Sequence, residues 1–468
     1  MSRFSLTYLC SFFLLLSVLS FFNIIYSYYF NLYLNVNTYI YTLLISLFIG
    51  SFFLFKKKKE NKVSIYEKIS VVILGYFLLP LIISIPFFLS IYNISFIDCY
   101  FEAISGFTST GFTIFDNVKH LDQSIILWRS SSQWIGGLYF LFSIILLINV
   151  FDDKLKKSLT NFLSFNTSET FNQSFKVLIL YSILTFIIFV ILKLIDFRTF
   201  NAVNFSLSLI SSGGFLPTNS LDKVINTDFK KIIFSILMLI SFFSIFLSYN
   251  LTFIKKKNLN VFFEDFYLLL YLLIVIIIFF LFFNYNENFI DILFSISSSI
   301  SNIGFSLKGT NSDQYFIFLI LVIIGGSFFS TSSGIRFIKL FTLIKYSIND
   351  LLSHTKPKQI LISKMAFSEK NIDQTDVNKY FFTLIVFIIS LFTIVSLLLL
   401  SNIDLDNSFK LGILTIMNTV NSSNYGIENF DFLNLNYFSK LALMTFMIIG
   451  RVELLTILIL AKKFLFKN

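Results

Sequence analysis

The sequence predicts an all-α polytopic membrane protein, and three observations predict it. Of the 468 residues, 56% are hydrophobic and only 13% are charged, about half the charged share of a soluble chain, which is ~25%. So little charge cannot cover a water-soluble body of this size, and lipid must be the solvent for much of the surface. Apolar runs of bilayer-spanning length, about 20 residues each, recur from one end to the other, and the mean hydropathy is +0.81. The formal charge of +10 sits in short runs between apolar segments: Lys56 to Lys59, Lys154 with Lys156 and Lys157, Lys255 to Lys257, Lys356 with Lys358, and Lys462 with Lys463. Basic runs in short loops mark the cytoplasmic side of a membrane. None is interleaved with aromatics on a polar segment, so no nucleic-acid partner is expected.

Ten spans are expected, near 6–30, 36–55, 69–93, 125–150, 174–194, 229–254, 263–284, 315–345, 379–401 and 437–461. The first is too long for a signal-peptide core and lacks a small-residue cleavage site. The eighth is too long for one straight helix and contains Gly325, Gly326 and Gly334, so a break is expected there. Loops 56–68, 152–173, 255–262 and 346–378 carry most of the lysines, whereas the alternate loops carry acids, Asp116, Asp122, Asp222, Asp404 and Asp431 among them. An even number of spans with this alternation puts both termini in the cytoplasm of a multi-pass cytoplasmic-membrane protein.

A repeat runs through the chain. After the spans ending near 93, 194, 284 and 401 comes a half-apolar segment too short to cross: Phe96 to Phe107, Phe200 to Ser212, Phe289 to Ser301, and Ser408 to Asn421. Each leads to a small polar loop holding glycine: Thr108-Ser109-Thr110-Gly111-Phe112, Ser211-Ser212-Gly213-Gly214-Phe215, Ser301-Asn302-Ile303-Gly304-Phe305, and Ser422-Ser423-Asn424-Tyr425-Gly426. Their spacing, about 90–120 residues, is that of one structural unit. The expected organisation is a two-helix extension over 1–68, followed by units at 69–173, 174–262, 263–378 and 379–468. The third unit carries the broken helix and a cytosolic loop.

One such loop could simply join two helices. Four together point to a pore, because irregular backbone at membrane depth is tolerated only where protein or water satisfies it. Four re-entrant loops around one axis can turn free carbonyls to a shared lumen and replace a cation's hydration shell. Glycine supplies the backbone freedom, and the Ser and Thr hydroxyls are hard oxygen ligands. The half-helices would end at the loops, presenting partly negative C-termini to a cation. Acidic outer loops would concentrate cations at the mouth.

Several motifs then resemble the Trk/Ktr/HKT superfamily of cation transporters. Ser105-Gly106-Phe107-Thr108-Ser109-Thr110-Gly111-Phe112-Thr113, with Trp128-Arg129-Ser130 and Gln133-Trp134-Ile135-Gly136-Gly137, is similar to the family's first repeat. Ser212-Gly213-Gly214-Phe215 is similar to the second. Gly325-Gly326-Ser327 with Ser330 to Arg336 resembles the broken helix of the third, and Gly450-Arg451-Val452-Glu453 the motif of the last helix. The likeness runs from about residue 69 to the C-terminus, and the two additional N-terminal helices favour the Trk branch over Ktr.

The resemblance implies potassium uptake, with K⁺ as the transported ion and no covalent cofactor. It implies a selectivity filter at Thr110, Gly111, Ser212, Gly213, Ile303, Gly304, Tyr425 and Gly426. It also implies an intramembrane gate at Gly325, Gly326 and Gly334 with Arg451 nearby. In plant relatives a serine at the Gly111 position accompanies sodium selectivity, so glycine there supports potassium. The third and fourth loops depart from the Thr/Ser-Gly pattern of the first two, which keeps a sodium-conducting or non-selective pore of the same fold as the alternative. The family further implies a homodimer and a cytosolic nucleotide-binding, TrkA-like regulatory subunit, with loop 346–378 a plausible docking surface and lipid around the whole.

Arg451 lies within an apolar helix, where an ionisable residue is functional by default; pairing with Glu453 is the structural alternative. Arg129 and Trp134 near a helix start are expected to anchor it at the membrane interface. An unrelated secondary transporter would show inverted repeats, whereas these run in one direction. A membrane enzyme would need a clustered acid, base or metal site. His120 and His354 fall on opposite sides, Cys10 and Cys99 form neither a disulfide framework nor a metal site, and no paired carboxylates are expected inside helices.

Overall fold

The computed structural model describes residues 3–54, 64–151, 170–252, 263–282, 288–307, 315–355, 374–427 and 430–452. The lysine runs at 56–59, 154–157, 255–257, 356–358 and 462–463 lie outside these residues, as do Lys308, Glu287, Asp313, Glu428 and Glu453. Seven described helices are long and apolar enough to cross a membrane, and the chain is an integral membrane protein.

Helices α1 (Arg3–Tyr29) and α2 (Val36–Leu54) form an N-terminal hairpin. Each of the four units that follow opens with a long helix and a half-helix. These are α3 (Ile65–Phe88) and α4 (Phe96–Phe107), α6 (Thr170–Leu194) and α7 (Thr199–Ile210), α10 (Phe263–Phe282) and α11 (Phe289–Ile300), and α14 (Gln374–Leu399) and α15 (Leu405–Ile416). Every half-helix has 12 residues, about 18 Å at 1.5 Å per residue and too short for a ~30 Å hydrocarbon core. Each unit closes with a returning segment. That segment is α5 (Gln123–Phe151) in the first unit, α8 (Asp228–Leu239) with α9 (Ile245–Thr252) in the second, α12 (Tyr315–Ile323) with α13 (Phe337–Thr355) in the third, and α16 (Tyr437–Val452) in the fourth.

Burial sorts these helices into centre and rim. The apolar window of α5 is 94% buried inside the protein, whereas those of α6 and α10 are 28% and 22% buried. The rim helices expose Phe175, Phe186, Phe266, Phe280, Phe381 and Phe392, a surface suited to lipid and not to water. Polar contacts tie the N-terminal hairpin to the start of α5: Asn23 Nδ2 donates to Ser124 O at 3.2 Å, and Tyr39 Oη pairs with Ser124 Oγ at 3.1 Å.

The eighth predicted span is broken, as its glycines suggest. Between α12 and α13 the chain leaves the helix at β1 (Ile324–Gly325), makes a loop, and returns at β2 (Ile335–Arg336), which pairs in parallel with β1. The sixth span, expected continuous, is broken too, at residues 240–244 between α8 and α9. The two breaks satisfy each other: Ser327 N donates to Phe242 O, Ser332 N to Ser241 O and Ile245 N to Phe329 O, at 3.0 to 3.1 Å. Non-helical backbone at this depth needs such a partner, which is the physical reason for the break that glycine content does not announce.

Two returning helices seat on the half-helix ends through a glycine. A Cβ on Gly136 would stand 1.9 Å from Phe107 O, and one on Gly450 would stand 2.0 Å from Ile416 O. Phe107 and Ile416 are the last residues of α4 and α15. Gly136→Ala and Gly450→Ala should each lower stability by about 1–3 kcal/mol, the usual cost of overpacking, read as a lower midpoint of thermal unfolding in detergent; an unchanged midpoint would contradict this packing.

Candidate functional site

The C-termini of α4, α7, α11 and α15 converge, and one hydrogen-bond pattern sets the register of all four loops. The amide of Thr110 donates to Ser105 O, Gly213 to Ser208 O, Ile303 to Ser298 O, and Thr419 to Leu414 O, at 2.8 to 3.1 Å. The residue before each of these amides, Ser109, Ser212, Asn302 and Asn418, has φ between +48° and +60°. This is a Schellman-type helix stop, met four times. The residues after the amides are Gly111, Gly214, Gly304 and Val420, and these four form the ring. A Cβ on Gly111 would lie 2.8 Å from Gly214 Cα, and one on Gly304 would lie 2.6 Å from Val420 O.

This register shifts two sequence assignments. In the second loop Gly214, not Gly213, is equivalent to Gly111, while Gly213 packs against Gln133. In the fourth, α15 ends at Ile416 and the loop begins earlier than its glycine suggested. Gly426 therefore lies six residues past the ring position, beside Lys410 and Tyr315. Tyr425 is buried with its hydroxyl against Ser299 Oγ at 3.2 Å. Glycine spacing misleads there because the ring position is a valine. The shared Ser-x5-Gly-Phe pattern at Ser105, Ser208 and Ser298 was the available signal. Each serine hydroxyl donates to the carbonyl of the following Phe112, Phe215 or Phe305.

Neighbouring loops interlock. Ser212 Oγ donates to Ser301 O, Asn302 Nδ2 to Thr419 Oγ1 at 3.3 Å, and Asn418 Nδ2 to Thr110 Oγ1 at 3.0 Å, which joins the fourth loop to the first. From α5, the Gln133 amide meets Ser208 Oγ at 2.9 Å and, with its oxygen turned to the second loop, accepts from Gly214 and Phe215 N–H at 3.0 Å. On the side from which the half-helices arrive, the ring opens into a cavity of about 460 Å³ lined by all four ring residues together with Asp116 and Asp222.

Arg129 is not an interface anchor. It is 1% exposed, and its Nε donates to Glu102 Oε1 at 2.8 Å. The Glu102 carboxylate also accepts from Ile114 N at 2.9 Å and Thr113 Oγ1 at 3.1 Å. The guanidinium lies 4.1 Å from the centre of the Phe215 ring. Burial of the charge is what demands this pairing, and the pair braces the first loop against the second. Trp134 is half-buried, with its Nε1 donating to Thr185 Oγ1 at 3.0 Å.

On the opposite side of the ring sits the interhelical loop at 326–334. Gly334 has φ +81°, and a Cβ there would press on Gly325 Cα at 2.8 Å. A Cβ on Gly326 would stand 2.3 Å from Phe242 O. Arg451 bridges loop and ring: Nη1 donates to Ser333 Oγ at 2.5 Å, and Nη2 to Ser109 Oγ and Ser211 O at 3.4 Å. Arg336, a motif residue without an assigned role, clamps the loop through Ser327 O, Ser330 Oγ and Ser332 O at 3.0 to 3.1 Å. Phe140 stacks against both guanidinium groups, at 5.0 Å from Arg336 and 4.3 Å from Arg451. The expectation of no paired carboxylates fails here. Glu264 accepts from Phe328 N and Asp265 from Ser244 N, both at 2.9 Å, so adjacent acids at the start of α10 cap both helix breaks.

Residues 311–467 match the TrkH family, described as a cation transport protein. The chain superimposes on the crystal structure of the potassium transporter TrkH from Vibrio parahaemolyticus with a TM-score of 0.80 and 21% identity, covering 97% of this chain and 98% of that one. The chain is TrkH-like. It is 26% identical to the Trk system potassium uptake protein TrkG of Escherichia coli over 88% of each chain. It is also 26% identical to an uncharacterized cation transporter of Methanocaldococcus jannaschii, over 74% of this chain and 72% of that protein. The family match falls on the third and fourth units of the TrkH-like chain, and the structural likeness extends to all four and the N-terminal hairpin.

Removing one member of the buried Arg129–Glu102 pair strands the other. Arg129→Met should cost about 3–5 kcal/mol, and the double variant Arg129→Met/Glu102→Leu should recover part of that loss. Thermal unfolding of the three proteins tests this, and additive losses would show that the two groups are not coupled.

Proposed function

We propose that this chain carries potassium into the cell through the ring of Gly111, Gly214, Gly304 and Val420. The observation that carries the reading is the convergence of four half-helix C-termini on one interlocked ring beneath a cavity bearing Asp116 and Asp222. The partly negative helix ends favour a cation. Backbone oxygens crowd the ring, with Ile303 O and Val420 O within about 3 Å of where glycine side chains would begin, and such oxygens can stand in for hydration water. The names of the Trk relatives supply the ion. Thr110 and Ile303 belong to this candidate filter with their glycines, while Ser212 and Gly213 hold its second loop in place.

The loop at 326–334 is the proposed gate. Gly325 and Gly334 form its closed base, and Arg451 pins it to the ring while placing a positive charge beneath the ring, an electrostatic obstacle to a leaving cation. By the positive-inside rule the half-helices enter from outside and both termini are cytoplasmic. The chain works in the cytoplasmic membrane as a non-enzymatic transporter, as a homodimer with a cytosolic nucleotide-binding regulatory subunit.

Purified protein in liposomes should take up potassium or rubidium in preference to sodium. Gly111→Ser places a side chain at φ +85°, a strain of about 1–3 kcal/mol, and should cut potassium flux roughly tenfold while narrowing the preference over sodium. Arg451→Ala should raise flux. Equal potassium and sodium flux in the wild type would keep the pore and remove the selectivity. No cation flux from folded protein, with or without the regulatory subunit, would refute the pore.

A further inference from the structure

Three ring positions are glycine and the fourth is a valine. The four helix-stop hydrogen bonds place Val420 in register with Gly111, Gly214 and Gly304. A second set of contacts separates its loop from the others. Ser105, Ser208 and Ser298 each tie a loop through a hydroxyl to the carbonyl after the ring residue. The fourth unit has Leu414 at the serine position and Asn421 at the phenylalanine position, so this hydroxyl anchor is missing.

The backbone explains how a valine is accommodated. Gly111 and Gly304 have φ of +85° and +84°, a region that a β-branched residue avoids. Gly214 and Val420 are not among the described residues with positive φ. Ring positions therefore alternate in conformation, and the fourth needs no glycine.

The side chain of Val420 points at the other three positions. A Cβ on Gly214 would lie 2.4 Å from Val420 Cβ, and one on Gly111 would lie 3.0 Å from it. A Cβ on Gly304 would lie 2.8 Å from Val420 Cγ1 and 2.6 Å from Val420 O. The three glycines thus face one isopropyl group, which occupies the space between them at the level where the four loops meet. Val420 also lines the cavity on the half-helix side and is only half-buried, so a cation arriving from that cavity meets it first-hand.

We infer that Val420 is a size-selecting residue of this pore, a conclusion that rests on the transport reading above. Its methyl groups offer no oxygen to a dehydrating cation and narrow the opening left by the glycines. Coordination at this level comes from the remaining backbone oxygens. The valine must turn or shift for an ion to pass, and the displacement required grows with ionic radius. Permeation is then slow, and across the larger alkali cations it falls from potassium to rubidium to caesium. Rubidium and caesium are penalised relative to potassium more than they would be in a ring of four glycines.

The test is uptake of potassium, rubidium and caesium, each measured alone, into liposomes holding the wild-type chain, Val420→Gly or Val420→Ala. Val420→Gly should raise the caesium-to-potassium flux ratio roughly tenfold, about 1.4 kcal/mol. Rubidium should rise less, total potassium flux should increase, and Val420→Ala should fall between. Val420→Ala keeps a side chain at the position and decides the matter if Val420→Gly does not fold. Wild-type ratios in a monodisperse variant would overturn the inference and leave the pore standing, because the wild-type flux would still be there. An equal rise for all three ions would also overturn it, making Val420 a packing residue that limits rate without sorting by size. Absence of flux from the wild type and every variant, with the regulatory subunit present, would remove the pore and this inference together.

Discussion

The structure depends on one constraint: backbone that leaves the helix at membrane depth must find hydrogen-bond partners there. Among the described residues the chain departs from helix between or within its apolar helices at four re-entrant loops and two broken spans. Each departure is matched. The four loops begin with the same helix stop and are then cross-linked by Ser212, Asn302 and Asn418. The two breaks exchange amide-to-carbonyl bonds through Ser241, Phe242 and Phe329, and Glu264 and Asp265 cap the amides left over. The same arrangement brings the carbonyl oxygens of Ile303 and Val420 to the place where the four loops meet.

Buried charge is handled by the same logic. Arg129 and Glu102 neutralise each other and hold the first loop against Phe215 of the second. Arg336 and Arg451 have a different environment. They share the Phe140 ring and donate to hydroxyls and carbonyls of the 326–334 loop and of the ring residues above it. The Arg129–Glu102 pair lies on the cavity side of the ring, and Arg451 lies on the loop side.

Much of this was legible in the residues. Length and hydropathy marked the spans, and three of the four half-helices were placed to within two residues. Glycines at 325, 326 and 334 announced one break. The misreadings share a cause. Glycine was used as the marker of the ring, and it is a reliable marker only where the backbone requires positive φ. Gly111 and Gly304 meet that condition; Gly214 does not, so only the Ser-x5-Gly-Phe spacing it shares with them separates it from Gly213. At the fourth position no glycine was needed, and the search ran on to Gly426, whose positive φ serves a helical turn outside the ring. Arg129 was read from its place near a helix start, yet its partner lies on another helix, which pattern along the chain cannot show.

By itself the sequence determined the solvent, the helical class, the fourfold repeat and the kind of residue at each re-entrant loop, because hydropathy, charge placement and turn chemistry are local properties. Tertiary structure alone decided the register of the ring, the partner of each buried charge and the break in the sixth span. Those depend on which groups meet across separate elements, 27 residues apart along the chain for Arg129 and Glu102 and 308 for Asn418 and Thr110. Whether a position must be glycine is settled by the atoms that crowd it from the other three loops.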